Sequence, residues 1–226
     1  MEVPPERLVT WVVTFAERHG GTATVQPVTT GESGVAVTFA GADGATAECH
    51  PPFPPLSAPV PGAVRAAAEA LAAHAAADRT VGVLLVRLGG YAAGVFSGSP
   101  PRLVSSKTGS RPVHGRSAAG GWSQQRFARR RENQAATALR AAADAAAEVF
   151  GRYGPDRFDA VVLGGDKRSA AGLTGDARLE KYLAKTTGRF LTVPDPRLAV
   201  LRDIPRAFLA TRIRLTEPES NSPATG

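Results

Sequence analysis

The chain has 226 residues, 43% of them apolar and 21% charged, enough to bury one large domain or a medium domain beside a small one, which excludes a disordered polymer. No run approaches 18 apolar residues, and MEVPPERLVTW carries acids and prolines where a signal peptide is basic and then apolar, so neither a membrane span nor a leader is expected. The formal net charge is +7, and all of the excess lies between Lys107 and Arg140, where eight basic residues face one acid; 19 basic and 19 acidic residues remain elsewhere and cancel. One basic patch on a neutral body points to an anionic partner.

In chain order, residues 5–19 predict an amphipathic helix with Leu8, Val12 and Phe15 on one face, ended by Gly20-Gly21. Short strands are expected at 22–27, 34–39 and 46–50 between glycine-bearing turns. PPFPPLSAPVPG, at 51–62, holds six prolines and reads as a linker. An alanine-rich helix at 62–77 follows, then a three-strand meander at 81–88, 91–97 and 101–107. A glycine-rich segment, 108–122, leads into a long helix over 123–150. Beyond it are expected a buried strand at 159–165, a short helix at 175–185, a strand at 188–194 and a helix at 196–210. The polar tail after Leu215 reads as disordered. The expected organisation is an α+β N-terminal unit (1–50), a linker (51–61), an α/β domain (62–215) and a tail (216–226).

Cys49 has no disulfide partner, and the four histidines show no metal-ligand spacing with it. The expectation is a cytoplasmic protein, monomeric, without metal or cofactor. Gly115 and Gly120 match the start of a phosphate-binding P-loop, but Gly121-Trp122 replaces the required Lys-Ser/Thr.

Read at 100° per residue, the long helix places Arg126, Arg129, Arg130, Asn133, Thr137, Arg140, Asp144 and Glu148 on one face, within about 60° of Arg126. Phe127, Ala135, Leu139, Ala142, Ala146, Val149 and Phe150 form the opposite stripe, and Arg131 breaks the pattern by lying among them. Either Arg131 pairs with a carboxylate there, or the first turns project beyond the sheet. Ser123 suits the N-cap, and the first turn contains Arg126 and no acid, which favours phosphate binding. The preceding segment, with Gly109, Gly115, Gly120 and Gly121, is too long for an ordinary connection and can approach a ligand closely.

Within this stretch, His114-Gly115-Arg116, Gly120-Gly121, Ser123, Arg126-Phe127, Arg129 and Arg131 resemble the HGR-GGQ-S-x-x-RF-x-R-x-R string of eukaryotic and archaeal class-1 release factors. Three residues, Ser117 to Ala119, are inserted, and Trp122 stands at the glutamine position. Gly121-Trp122-Ser123-Gln124 is instead a GxxQ motif, and on it the chain is similar to actinobacterial VLRF proteins, release-factor-like peptidyl-tRNA hydrolases of ribosome quality control. The likeness spans about residues 80–213. It implies a ribonuclease-H-like mixed sheet covered by helices, without nuclease carboxylates. It further implies hydrolysis of ribosome-bound peptidyl-tRNA, with Gln124 positioning water and Gly120, Gly121, Trp122 and Ser123 forming the catalytic loop. His114, Arg116, Arg126, Arg129, Arg130 and Arg131 would contact the RNA of the tRNA and large subunit.

Two other readings use the same residues. One is a non-catalytic RNA-binding module in which Gln124 does no chemistry. The other is a nuclease, which needs carboxylates such as Asp159 or Asp166 to converge.

Overall fold

A computed structural model describes residues 1–21, 24–30, 34–87, 89–110 and 123–217; side chains at 24, 28–30, 34, 35 and 123–132 lie outside that description. The chain divides into two compact units, Met1–Ala77 together with the chain from Arg206 onward, and Asp78–Pro205.

The first unit contains β1 (Glu2–Val3), α1 (Pro5–Arg18), β2 (Thr24–Thr30), β3 (Gly34–Ala40), β4 (Thr46–His50) and α2 (Val64–Ala76). Its strands form an antiparallel sheet completed from the far end of the chain by β10 (Thr211–Thr216), in the order β1-β10-β4-β3-β2. Leu8, Val12 and Phe15 recur at helical spacing and are buried with Ala67, Ala68 and Leu71 of α2. Beneath them runs the cross-strand row Ile213, Cys49 and Val37. Burial pushes the Cys49 thiol up to about 12, so Cys49 is a core residue and not a nucleophile.

The proline-rich run belongs to this unit and does not divide the chain. The buried His74 of α2 explains why. Its Nε2 lies 3.0 Å from the Pro52 carbonyl and 3.2 Å from that of Phe53. Its Nδ1 receives the Ser57 hydroxyl at 3.1 Å, an arrangement that suits the neutral ring with the proton on Nε2. The compact boundary therefore falls at Ala77–Asp78, later than the linker at 51–61, and α2 groups with the N-terminal unit.

The second unit begins with β5 (Val81–Arg87), β6 (Gly90–Ser97) and β7 (Arg102–Ser110), the expected meander. Then follow α3 (Ser123–Gly151), β8 (Ala160–Gly165), α4 (Lys167–Ala171), α5 (Glu180–Leu183), β9 (Thr186–Leu191) and α6 (Leu198–Asp203). The order is β7-β6-β5-β8-β9, and only β6 runs against the other four. This is the mixed α/β sheet the resemblance implies. β5 is buried over its first six residues, as a central strand must be. Helices cover both faces. A Cβ on Gly82 would lie 2.9 Å from the Phe158 ring, on the α3 side, and one on Gly94 would lie 2.9 Å from Leu201 of α6. These two glycines let the layers approach closely.

Expectations are corrected at element level, among them the end of β7, the helix at 175–185, which is the shorter α5, and the helix at 196–210. β7 continues to Ser110, so residues 108–110 are strand; the Tyr91 side chain occupies the space beside Gly109, its cross-strand partner. The expected helix at 196–210 is α6 followed by a four-residue α7 (Pro205–Phe208), because Pro205 lacks the N–H that a continuous helix needs. The segment after it is β10, whose alternation of buried Thr211 and Ile213 with exposed Arg212 and Arg214 is a strand pattern. Residues 218–226 of the expected tail lie outside the described residues.

Candidate functional site

Ser123, Gln124, Arg126, Arg129, Arg130 and Arg131 all fall on the first turns of α3, a helix of 29 residues. His114, Arg116, Gly120, Gly121 and Trp122 lie outside the described residues, between the end of β7 and the start of α3. Packing fixes where the helix is anchored. Ala138, Ala142, Ala145, Ala146, Val149 and Phe150 are buried, and their mean direction is opposite that of Arg126. Ala135 lies on that same apolar stripe yet is exposed, as are the other residues of 133–137 except the half-buried Gln134. The helix has left the sheet before Ala138. From Ser123 to Ala138 the helix axis advances fifteen steps of about 1.5 Å, roughly 22 Å. Arg131, on the apolar stripe, is among the side chains that lie outside the described residues.

The charge distribution along α3 is uneven for a structural reason. Lys107 on β7 donates to Glu148, which also receives Arg152 at 2.9 Å. This hydrogen bond raises the Lys107 pKa and holds the Glu148 carboxyl below its usual range. Asp144 accepts Arg178 at 2.8 Å, and Arg178 also donates to Asp176 at 2.7 Å. The acids of the polar face are thus engaged toward the C-terminal half of the helix. Lys107, counted in the basic patch by sequence, belongs to this network. The arginine positions near Ser123 share their part of the helix with one acid, Glu132.

A cleft of about 330 Å³ lies where β5 ends, β6 begins and β7 ends. It is lined by Arg87, Thr108, Gly109, Ser110, Asp195 and Arg197, with Gly90, Pro196 and Leu198 completing it. Ser110 is the last described residue before the motif segment, so the cleft stands at the base of that segment. Sequence reasoning missed it. The available signals were an arginine ending an apolar strand, Arg87, and the rigid Pro194-Asp195-Pro196-Arg197.

The two carboxylates a nuclease would need stand at opposite ends of β8. Asp159, just before that strand, accepts the Thr80 N–H at 2.7 Å. Asp166, just after it, caps α4 by accepting the Ser169 N–H at 2.9 Å and its hydroxyl at 2.6 Å. These hydrogen bonds hold the Asp166 carboxyl below its usual range. Seven residues of extended chain, at about 3.3 Å each, keep the pair roughly 23 Å apart. Among the described residues, no group of three or more His, Cys, Asp or Glu could hold a metal ion, and no helix is long and apolar enough to cross a membrane.

Compared with known families, residues 79–214 match the one described as "Actinobacteria/chloroflexi VLRF1 release factor". No curated protein matches the sequence.

Proposed function

Since the chain belongs to the actinobacterial and chloroflexal VLRF1 release-factor family, we propose that it hydrolyses the ester of peptidyl-tRNA on stalled large ribosomal subunits. Gln124 is the residue assigned to the chemistry. A carboxamide is neither a strong acid nor a strong base, so it contributes orientation: its oxygen accepts from the attacking water while its NH₂ donates to a neighbouring acceptor or developing charge. Water adds to the ester carbonyl carbon, the bond to the ribose oxygen breaks, and a proton passes to that oxygen. The RNA of the ribosome and tRNA supplies the rest of the cavity. Gly120, Gly121, Trp122 and Ser123 form the loop that carries Gln124 in. Arg126, Arg129, Arg130 and Arg131, with His114 and Arg116, bind RNA phosphates. The setting is cytoplasmic translation.

The observation that carries this reading is the family match, which includes the GxxQ segment. The exposed Ala135 adds physical support, because a helix that leaves its sheet can carry its first turns into a deep site.

Peptide release from stalled 50S–peptidyl-tRNA complexes is the test. Gln124→Ala is expected to lose about 10²–10³ in release rate, the usual effect of one positioned transition-state hydrogen bond, while still binding the complex. Gln125→Ala, one helical step or about 100° away, is expected to be much milder. Equal behaviour of the two variants, or full activity in Gln124→Ala, refutes the assignment and leaves an RNA-binding module.

A further inference from the structure

The cleft at the base of the motif segment presents a distinct set of groups. Arg87 donates from Nη1 to the Val193 carbonyl at 2.8 Å, which orients its guanidinium and leaves other N–H groups to spare. Its Nε is 4.0 Å from Asp195, too far for a hydrogen bond, so the carboxylate keeps its acceptor capacity. Arg197 is exposed, and its guanidinium has no partner among the described residues. Val193 and Pro196 are buried while Pro194, Asp195 and Arg197 are exposed. Prolines on both sides of Asp195 restrict the backbone, so the acid and Arg197 are displayed on a rigid segment. Thr108 and Ser110 add hydroxyls from β7, the edge strand of the sheet.

Two guanidiniums and one carboxylate leave a single positive charge, which one phosphodiester neutralises. The carboxylate then has no role toward a phosphate, but it does toward a sugar: a 2′-hydroxyl is a donor that DNA lacks. We infer that this cleft binds one backbone unit of single-stranded RNA, with Arg87 and Arg197 on the phosphate and Asp195 accepting the ribose 2′-hydroxyl. The site rests on the proposed function for its partner and extends it, placing an RNA contact beside the loop and separate from the arginines of α3. It would hold the strand at the start of the segment that leads to Gln124.

Fluorescein-labelled single-stranded RNA and DNA of one sequence, titrated with the full chain at three salt concentrations, test this. RNA is expected to bind more tightly than DNA, by about five-fold for one hydrogen-bonded hydroxyl. Arg197→Gln is expected to weaken both and to reduce the slope of log K against log salt by about 0.7, the value for one phosphate of a single strand no longer neutralised. Asp195→Asn is expected to narrow the RNA-to-DNA ratio. Arg157→Gln, an exposed arginine at the opposite end of the sheet, serves as the control and is expected to keep the parent slope. An unchanged slope in Arg197→Gln, an equal loss in Arg157→Gln, or an unchanged RNA-to-DNA ratio in Asp195→Asn overturns the assignment. The release assay separates the two proposals. If Arg197→Gln keeps the parent slope while Gln124→Ala loses release, the cleft is refuted and the hydrolase stands. If the slopes shift as expected and the parent chain releases no peptide, the reverse holds.

Discussion

Gly165 closes β8 with φ at +104°, and a Cβ there would stand 2.2 Å from the Val86 carbonyl oxygen. That oxygen accepts the Asp166 N–H at 2.8 Å, so moving it away would disturb the turn that leads into α4. Gly165→Ala is therefore expected to lose at least about 1–3 kcal/mol of stability, the usual cost of a non-glycine residue in this backbone region. Gly175 has open space around its Cβ position, and Gly175→Ala is expected to be neutral or to stabilise by up to about 1 kcal/mol. Urea unfolding of the two variants checks the contrast, and similar midpoints would disprove it. The sequence places Gly165 at the end of an expected strand and Gly175 at the start of an expected helix, with nothing to separate their tolerance of a side chain. The positive φ of Gly165 and the neighbouring Val86, brought there by parallel pairing of β5 and β8, distinguish them.

For elements, α3 matters most. Its alanine stripe lets it lie close on the sheet, so Ala146→Leu is expected to overpack and to lose about 1–3 kcal/mol. Ala135→Leu has the same helical phase but is exposed, and is expected to change stability by no more than about 0.5 kcal/mol. Thermal unfolding of the pair tests where the helix leaves its sheet; equal losses would mean that Ala135 is packed. The side chains of the expected arginine face lie outside the described residues, while the helix boundaries were legible from spacing alone. Its point of departure was not, because Ala135 and Ala142 look the same to a periodicity argument. The role of the arginine face is a separate matter. Arg129→Gln combined with Arg130→Gln is expected to weaken RNA binding and to lower the salt slope by about 0.7–0.9 for each phosphate no longer neutralised, with the catalytic step at saturating protein little changed. A slope equal to the parent's would mean that the face is merely solvated.

At the scale of the whole molecule, the chain leaves its first unit after Ala77 and returns to it at Arg206. β10 enters the sheet between β1 and β4, pairing five residues with β4 and burying Ile213 in the core. Ending the chain at Ala210 is expected to unfold this unit, since β10 is the strand that β1 and β4 share. Hydrogen exchange should then be fast over 46–50 and retained in β5 and β8. Protection at 46–50 equal to that of the full chain would contradict this.

Patterns set by local chemistry were readable from the sequence by itself. Apolar spacing marked α1 and the stretch later seen as α3; a nearly continuous apolar run marked β5; a specific string of glycines, arginines and a glutamine marked the family and the chemistry to be tested. Long-range pairing decided the rest. Six prolines read locally as a linker, but His74, some twenty residues on, fastens that run to α2. The end of the chain read locally as a helix to 210 and a tail after Leu215, with no element between, but Arg212 to Thr216 find an open edge on β4. The cleft of Arg87, Thr108 and Arg197 joins residues up to 110 positions apart, and no motif spans such a distance. Propensity and periodicity act within a few residues, whereas a hydrogen-bonded edge or a shared cavity exists only once the chain has folded back on itself.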